Sequence, residues 1–190
     1  MILGVTGSIG SGKTTAAKIF SKYHYSRIDA DEIGHELLKS NKKIKNKILK
    51  EFGKGILDKN NNINRKKLGK IVFNYKAKLK KLNSIMHPAI INEIKNQINK
   101  SKNKNIVIDS PLLLETDAKN LVDEVVVVKS DIKYISRRNK NFSKEYIKKI
   151  SKSQMPMKEK IRHADCVVDN NGNLKYLEKQ VKEIIDKFKQ

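Results

Sequence analysis

The sequence predicts an α/β chain in which a parallel sheet lies between two layers of helix. Three observations predict it. An apolar run from Met1 to Thr6 gives way to a glycine-rich stretch and then to a helical pattern that starts at Lys13. Three later runs, "NIVIDS", "DEVVVVKS" and "ADCVVDN", are short, β-branched and bounded by polar residues, which suits strands buried on both faces. Helical patterns separate the runs, and that alternation argues for three layers.

The elements follow in order. "MILGVT" reads as a buried strand, and Lys13 to about Tyr23 as a helix with Ala16, Ala17, Ile19, Phe20 and Tyr23 on one face. "YSRIDA" is a weak second strand. "DEIGHELLK" and "KKIKNKILKEF" read as helices, the latter with Ile44, Ile48 and Phe52 four apart. "GKGILDKNNNINR" is rich in turn residues, and "RKKLGKIVF" is helical again. Leu79, Leu82 and Met86 mark a further helix, and Ile91, Ile94 and Ile98 another that Pro88 opens. After the strand runs, residues 132–162 carry no strand signal. A last amphipathic helix spans Asn173 to Lys189.

At 190 residues the chain suits one compact domain over 1–190, with no repeat and no separating linker. No apolar run approaches the ~20 residues needed to span a bilayer. Gly4, Thr6 and Gly7 interrupt the N-terminal apolar run, so no cleavable leader is expected. The single Cys166 rules out an internal disulfide framework and fits a reducing cytoplasm, the expected location.

With 42 Lys+Arg against 20 Asp+Glu, the net charge of +22 resembles that of a nucleic-acid binder. The excess is mostly lysine, spread from Lys39 onward and interleaved with asparagine and isoleucine. A groove that tracks phosphates mixes in arginine and aromatics, which are sparse here. The expected reading is a solvated lysine surface with loose attraction to nucleic acid and no specific nucleic-acid partner.

"GSIGSGKT" satisfies G-x-x-x-x-G-K-[ST] as Gly7, Gly12, Lys13 and Thr14. Glycines let backbone N–H groups turn toward phosphate oxygens, and the following helix N-terminus adds partial positive charge. Lys13 is placed to reach the β- and γ-phosphates, and the Thr14 hydroxyl to hold Mg²⁺. The alternative is an ordinary strand–turn–helix with a glycine-rich corner; the loop sits between a strand and a helix, the context the motif requires. The stretch reads as a triphosphate cradle for ATP.

Asp29 and Asp31 follow the second strand. One aspartate suffices to cap a helix; a second carboxylate beside the phosphate loop could accept a hydroxyl proton or orient Mg²⁺. Asp109 ends an apolar run, as a metal-facing carboxylate does, or else simply closes a strand. His87 precedes Pro88, and its residue chemistry alone leaves it structural. Arg137 and Arg138 belong either to a basic flap over phosphates or to one more solvated charge run.

Taken in order, these motifs resemble the dephospho-CoA kinase family over essentially the whole chain. "GVTGSIGSGKTT" looks like the family's opening and "DADEIGHEL" like its aspartate segment. "NRKKLGKIVF", "LNSIMHPAI", "DSPLLLE" and "ISKSQMPMKEKIRHADCVVDNNG" are similar to its later elements. The resemblance implies ATP-dependent phosphorylation of the ribose 3′-hydroxyl of dephospho-CoA. It implies a P-loop NTPase fold with five parallel strands, a helical CoA-binding region at about 57–100 and a lid at about 133–155. Gly10, Ser11, Gly12, Lys13, Thr14 and Thr15 would bind ATP phosphates, Asp31 would be the base assisted by Lys13, and Thr14 and Asp109 would serve Mg²⁺. Asp29, Arg65, His87 and Arg138 would face the substrate. One departure stands out: the family's lid helix carries two arginines about four apart, and the earlier position here is Tyr134. A monomer is expected. The rival readings are another small-metabolite P-loop kinase and a nucleic-acid-dependent ATPase.

Overall fold

The computed structural model describes residues 1–138 and 143–188. In chain order the strands are β1 (Ile2–Gly7), β2 (Ser26–Asp29), β3 (Ile106–Asp109), β4 (Glu124–Lys129) and β5 (Cys166–Asp169). The α-helices are α1 (Lys13–Lys22), α2 (Ala30–Ser40), α3 (Lys42–Phe52), α4 (Arg65–Val72), α5 (Lys76–Lys100), α6 (Ile132–Arg138), α7 (Lys144–Ser151), α8 (Met157–Arg162) and α9 (Leu174–Lys187). They form two compact units, residues 1–29 with 97–190, and residues 30–96.

The first unit holds a five-stranded parallel sheet in the order β2-β3-β1-β4-β5. Val, Ile and Leu fill β1, β3 and β4 because central parallel strands are covered on both faces. Leu3, Val5, Val107, Val126, Val128 and Val168 share one core with Ala16, Ala17 and Phe20 of α1 and Leu177, Val181 and Ile185 of α9. Burying one such large side chain contributes about 1.5–3 kcal/mol. Phe20 meets Tyr25 edge-on with centroids 5.5 Å apart, an arrangement that favours the ring quadrupoles. The chain leaves β1 toward one side of the sheet and β3 toward the other. The strand order therefore reverses between β1 and β3, and sheets of this kind bind ligands beyond the carboxyl ends of the strands at such a point.

The second unit is helical. Ile44, Ile48, Ile56, Leu68, Val72 and Met86 form its core, with Leu37, Phe52, Leu79 and Leu82 packed against them. In the turn-rich segment, Leu57 bridges Ile63 and the Asp58 carboxylate accepts the N–H groups of Asn60 and Asn62. Residues 57–96 of the expected CoA-binding region belong to this unit, which begins at Ala30.

Asparagine, abundant in the sequence, starts three helices. Asn41, Asn64 and Asn173 each accept the N–H three residues on, opening α3, α4 and α9; such a cap contributes about 1 kcal/mol. The last helix therefore begins just after Asn173, and Lys189 lies outside the described residues.

One expectation is corrected. Pro88 does not separate two helices but lies within the 25-residue α5. A proline inside a helix removes one hydrogen bond and crowds the carbonyl four residues back, at about 3 kcal/mol. Pro88 and Ser84 are both exposed, so the carbonyl left without its donor lies on the side open to water. Met86 and Ile94 keep both halves of the helix packed. Among the described residues of 132–162 lie α6, α7 and α8 and no strand.

Candidate active site

The phosphate-loop stretch runs from the end of β1 into α1. Gly10 and Gly12 take φ of 71° and 95°, left-handed values that disfavour any side chain. Gly7 is required for a different reason, since a Cβ there would overlap the Val128 carbonyl and the Ser11 hydroxyl. Gly12 is the cap position of α1 and has no side chain with which to cap the helix. The first turn of this ten-residue helix carries partial positive charge of the kind that attracts an anion. Ser11 is fully buried and its carbonyl accepts the Asn170 amide at 2.7 Å. Thr15, the second threonine of the loop, is exposed.

Below the loop, four charged side chains alternate in sign. Lys13 Nζ lies 3.2 Å from Asp109 Oδ1 and 3.4 Å from Thr14 Oγ1. Arg27 Nη2 donates to Asp109 Oδ2 at 2.9 Å and also to Asp29. The sheet explains the meeting: Asp29 of β2 and Asp109 of β3 are in register, as are Asp109 and Val5 of β1. Arg27 and Asp29 are two apart and share a face. Asp109 is fully buried, and a buried charge stripped of its partner costs about 3–5 kcal/mol. Burial pulls the Arg27 guanidinium down, but its bond to Asp109 and the charges of Asp29 and Asp109 outweigh that and hold it above its ordinary value. The structure thus brings together the expected Lys13, Thr14, Asp29 and Asp109 and adds Arg27, which sequence reasoning missed.

Lys160 was also missed. Only 1% of its side chain is exposed. Its Nζ donates to the Pro111 carbonyl at 2.5 Å and pairs with Glu115 Oε1 at 3.0 Å. Glu115 also accepts the Met155 N–H at 2.6 Å, and Thr6 donates to the same Pro111 carbonyl. The segment after Asp109 is therefore tied both to β1 and to α8. Burial pushes the Lys160 ammonium below its ordinary value; Glu115 opposes that shift and Lys13 adds to it.

Arg138 ends α6. It donates to the Asn170 carbonyl at 2.8 Å and to the Ser130 hydroxyl at 2.6 Å. Both partners are neutral, and burial lowers the guanidinium pKa. Asn170 thus bonds Arg138 through its backbone and Ser11 through its side chain. Lys133 Nζ lies 4.9 Å over the ring of Tyr134. Part of the expected lid, residues 139–142, lies outside the described residues.

Asp31, Arg65 and His87 belong to the second unit. Asp31 is exposed in the first turn of α2. Arg65 is the exposed first residue of α4, and His87 is half-buried on α5. Among the described residues no cluster of three or more His, Cys, Asp or Glu could hold a metal ion. Beside Lys13 the side-chain oxygens are those of the Thr14 hydroxyl and the Asp109 carboxylate. That sparse, hard set fits an ion that takes most of its ligands from water and phosphate.

A search of solved structures matches a dephospho-CoA kinase from Campylobacter jejuni at 32% identity and TM-score 0.70, covering 98% of this chain and 96% of that one. A dephospho-CoA kinase of Fusobacterium nucleatum is 42% identical over 98% of this chain and 97% of its own length. One from Carboxydothermus hydrogenoformans is 38% identical over 99% and 94%. The family model described as dephospho-CoA kinase matches residues 1–176. With its glycine-rich loop, its buried carboxylate at the end of β3 and relatives matched along nearly their full length, the chain belongs to the dephospho-CoA kinase family.

Proposed function

We propose that this chain transfers the γ-phosphoryl group of ATP to the ribose 3′-hydroxyl of dephospho-CoA, giving coenzyme A and ADP, the last step of coenzyme A biosynthesis. The observation that carries the reading is the left-handed glycine loop that starts α1 beside the Lys13–Asp109 pair, in a chain of this family. The loop from Gly10 to Thr15 supplies N–H groups to the phosphates, and Lys13 supplies charge to the β- and γ-oxygens.

The acceptor oxygen attacks the γ-phosphorus while the bond from phosphorus to the β–γ bridging oxygen breaks and ADP leaves with that electron pair. The hydroxyl proton passes to the Asp31 carboxylate. Asp29, held by Arg27, orients the acceptor side of the site. Thr14 and Asp109 would hold Mg²⁺, which neutralises charge on the transferring group. Arg65 and His87, within the acceptor region at 57–100, would contact dephospho-CoA, and Arg138, in a lid at 133–155, would stabilise phosphate charge. No helix among the described residues is long and apolar enough to cross a membrane. The working form is taken to be a cytoplasmic monomer without a specific nucleic-acid partner.

The test is a parallel acceptor assay with labelled ATP and Mg²⁺, offering dephospho-CoA, nucleoside monophosphates and shikimate. Transfer to dephospho-CoA alone is expected. Transfer confined to another acceptor would overturn the reading.

A further inference from the structure

Asp109 meets two cations on separate oxygens, Lys13 on Oδ1 and Arg27 on Oδ2. They differ in how they are held. Lys13 begins α1 and reaches Asp109 through a flexible four-carbon stem. Arg27 sits inside β2, and its Nη2 is shared between Asp109 and Asp29. Its location is unusual for a charged residue. In register it faces Val107, which is fully buried in the core of the sheet, and strand alternation there suits an apolar side chain. Its Nε is buried with no hydrogen-bond partner among the described residues, a penalty an aliphatic residue would not incur.

We propose that Arg27 is a positioning residue: it stays on Asp109 as that carboxylate's resident counter-ion and so lets Lys13 leave for the nucleotide phosphates. This rests on the reading that Lys13 serves those phosphates. A fully buried carboxylate is strongly penalised once unpaired. If Lys13 were its sole cation, every nucleotide would have to pull Lys13 away against that penalty. With Arg27 fixed on the second oxygen, Asp109 remains compensated when Lys13 moves.

The experiment measures ATP affinity calorimetrically on the full chain in the presence of a chelator, so that no divalent cation can substitute for Arg27. Arg27→Val is expected to weaken metal-free ATP binding about tenfold or more, with Arg27→Lys within about threefold of the unsubstituted chain. In an Asp109→Asn background, where there is no charge to balance, the same Arg27→Val change should move affinity by less than about twofold. If Arg27→Val does not fold, as judged by thermal melting, Arg27→Gln removes the same charge and is held to the same expectation. Unchanged affinity on loss of Arg27 overturns the inference, and so does an equal loss in the Asp109→Asn background, which would mean that Arg27 acts on the phosphates directly. An unsubstituted chain that binds no ATP even after Mg²⁺ is restored overturns the inference together with the function it rests on, and one that binds ATP only with Mg²⁺ overturns the inference alone. Normal binding combined with indifference to Arg27 overturns the inference alone.

Discussion

The Asn170 side-chain amide holds the Ser11 carbonyl at 2.7 Å, and the same nitrogen occupies the place a Cβ at Gly12 would need. The phosphate loop is thus braced from the end of β5, and the brace tolerates only glycine at its point of contact.

Gly12→Ala should therefore destabilise the protein twice over. The left-handed φ of 95° costs about 1–2 kcal/mol for a residue with a Cβ, and clearing the overlap breaks the Asn170–Ser11 bond, worth about 1 kcal/mol. The melting temperature should fall by roughly 4–10 °C for a chain of this size. Adding Asn170→Ala should relieve the overlap without further loss. A melt of Gly12→Ala that matches the unsubstituted chain would show that the loop relaxes freely.

Asp31→Asn keeps size and removes the proposed base. The turnover number is expected to drop at least ~100-fold with ATP affinity unchanged. Single-turnover transfer from ATP to dephospho-CoA, with ATP binding measured separately, checks both halves. Normal transfer would leave Asp31 a first-turn residue of α2 and nothing more.

Arg65→Ala and His87→Ala should each raise the KM for dephospho-CoA about tenfold or more while shifting that for ATP less than about twofold. A loss confined to one substrate indicates lost binding on that side alone. Equal shifts for the two substrates would return both residues to a packing role.

Lys160 makes stability depend on alkaline pH. Burial holds its ammonium below the ordinary lysine value. Between the lowered value and the ordinary one, the unfolded chain binds more protons than the folded chain, so stability contributed at this site rises with pH across that window. Thermal melts of the unsubstituted chain and Lys160→Met, compared from neutral pH upward, should show the difference moving in favour of the lysine as pH rises. A constant difference would mean that Lys160 does not titrate differently on folding.

Much of this was legible in the sequence. β3, β4 and β5 were readable because each is a short β-branched run closed by polar residues, and Asp109 because a lone carboxylate ends such a run. Pro88 misled because its penalty is local, whereas the packing of Met86 and Ile94 on either side is tertiary. Arg27 stayed hidden for want of a register: "SRID" shows a charge in a weak strand, and only the alignment of β2 with β3 reveals that it faces a second carboxylate. Lys160 was lost among 42 lysines and arginines, since nothing in its neighbours marks it as drawn inside.

Lys13, Asp109, Arg27 and Asp29 sum to zero charge, within a chain that carries +22. Arrival and selection are thereby separated. The cationic coat sets how often any anion, whether nucleotide, polyphosphate or nucleic acid, reaches the surface, and dissolved salt slows that encounter. The balanced cluster adds no net pull of its own, so what stays bound is decided by fit, and an ion that matches only in charge leaves as readily as it came.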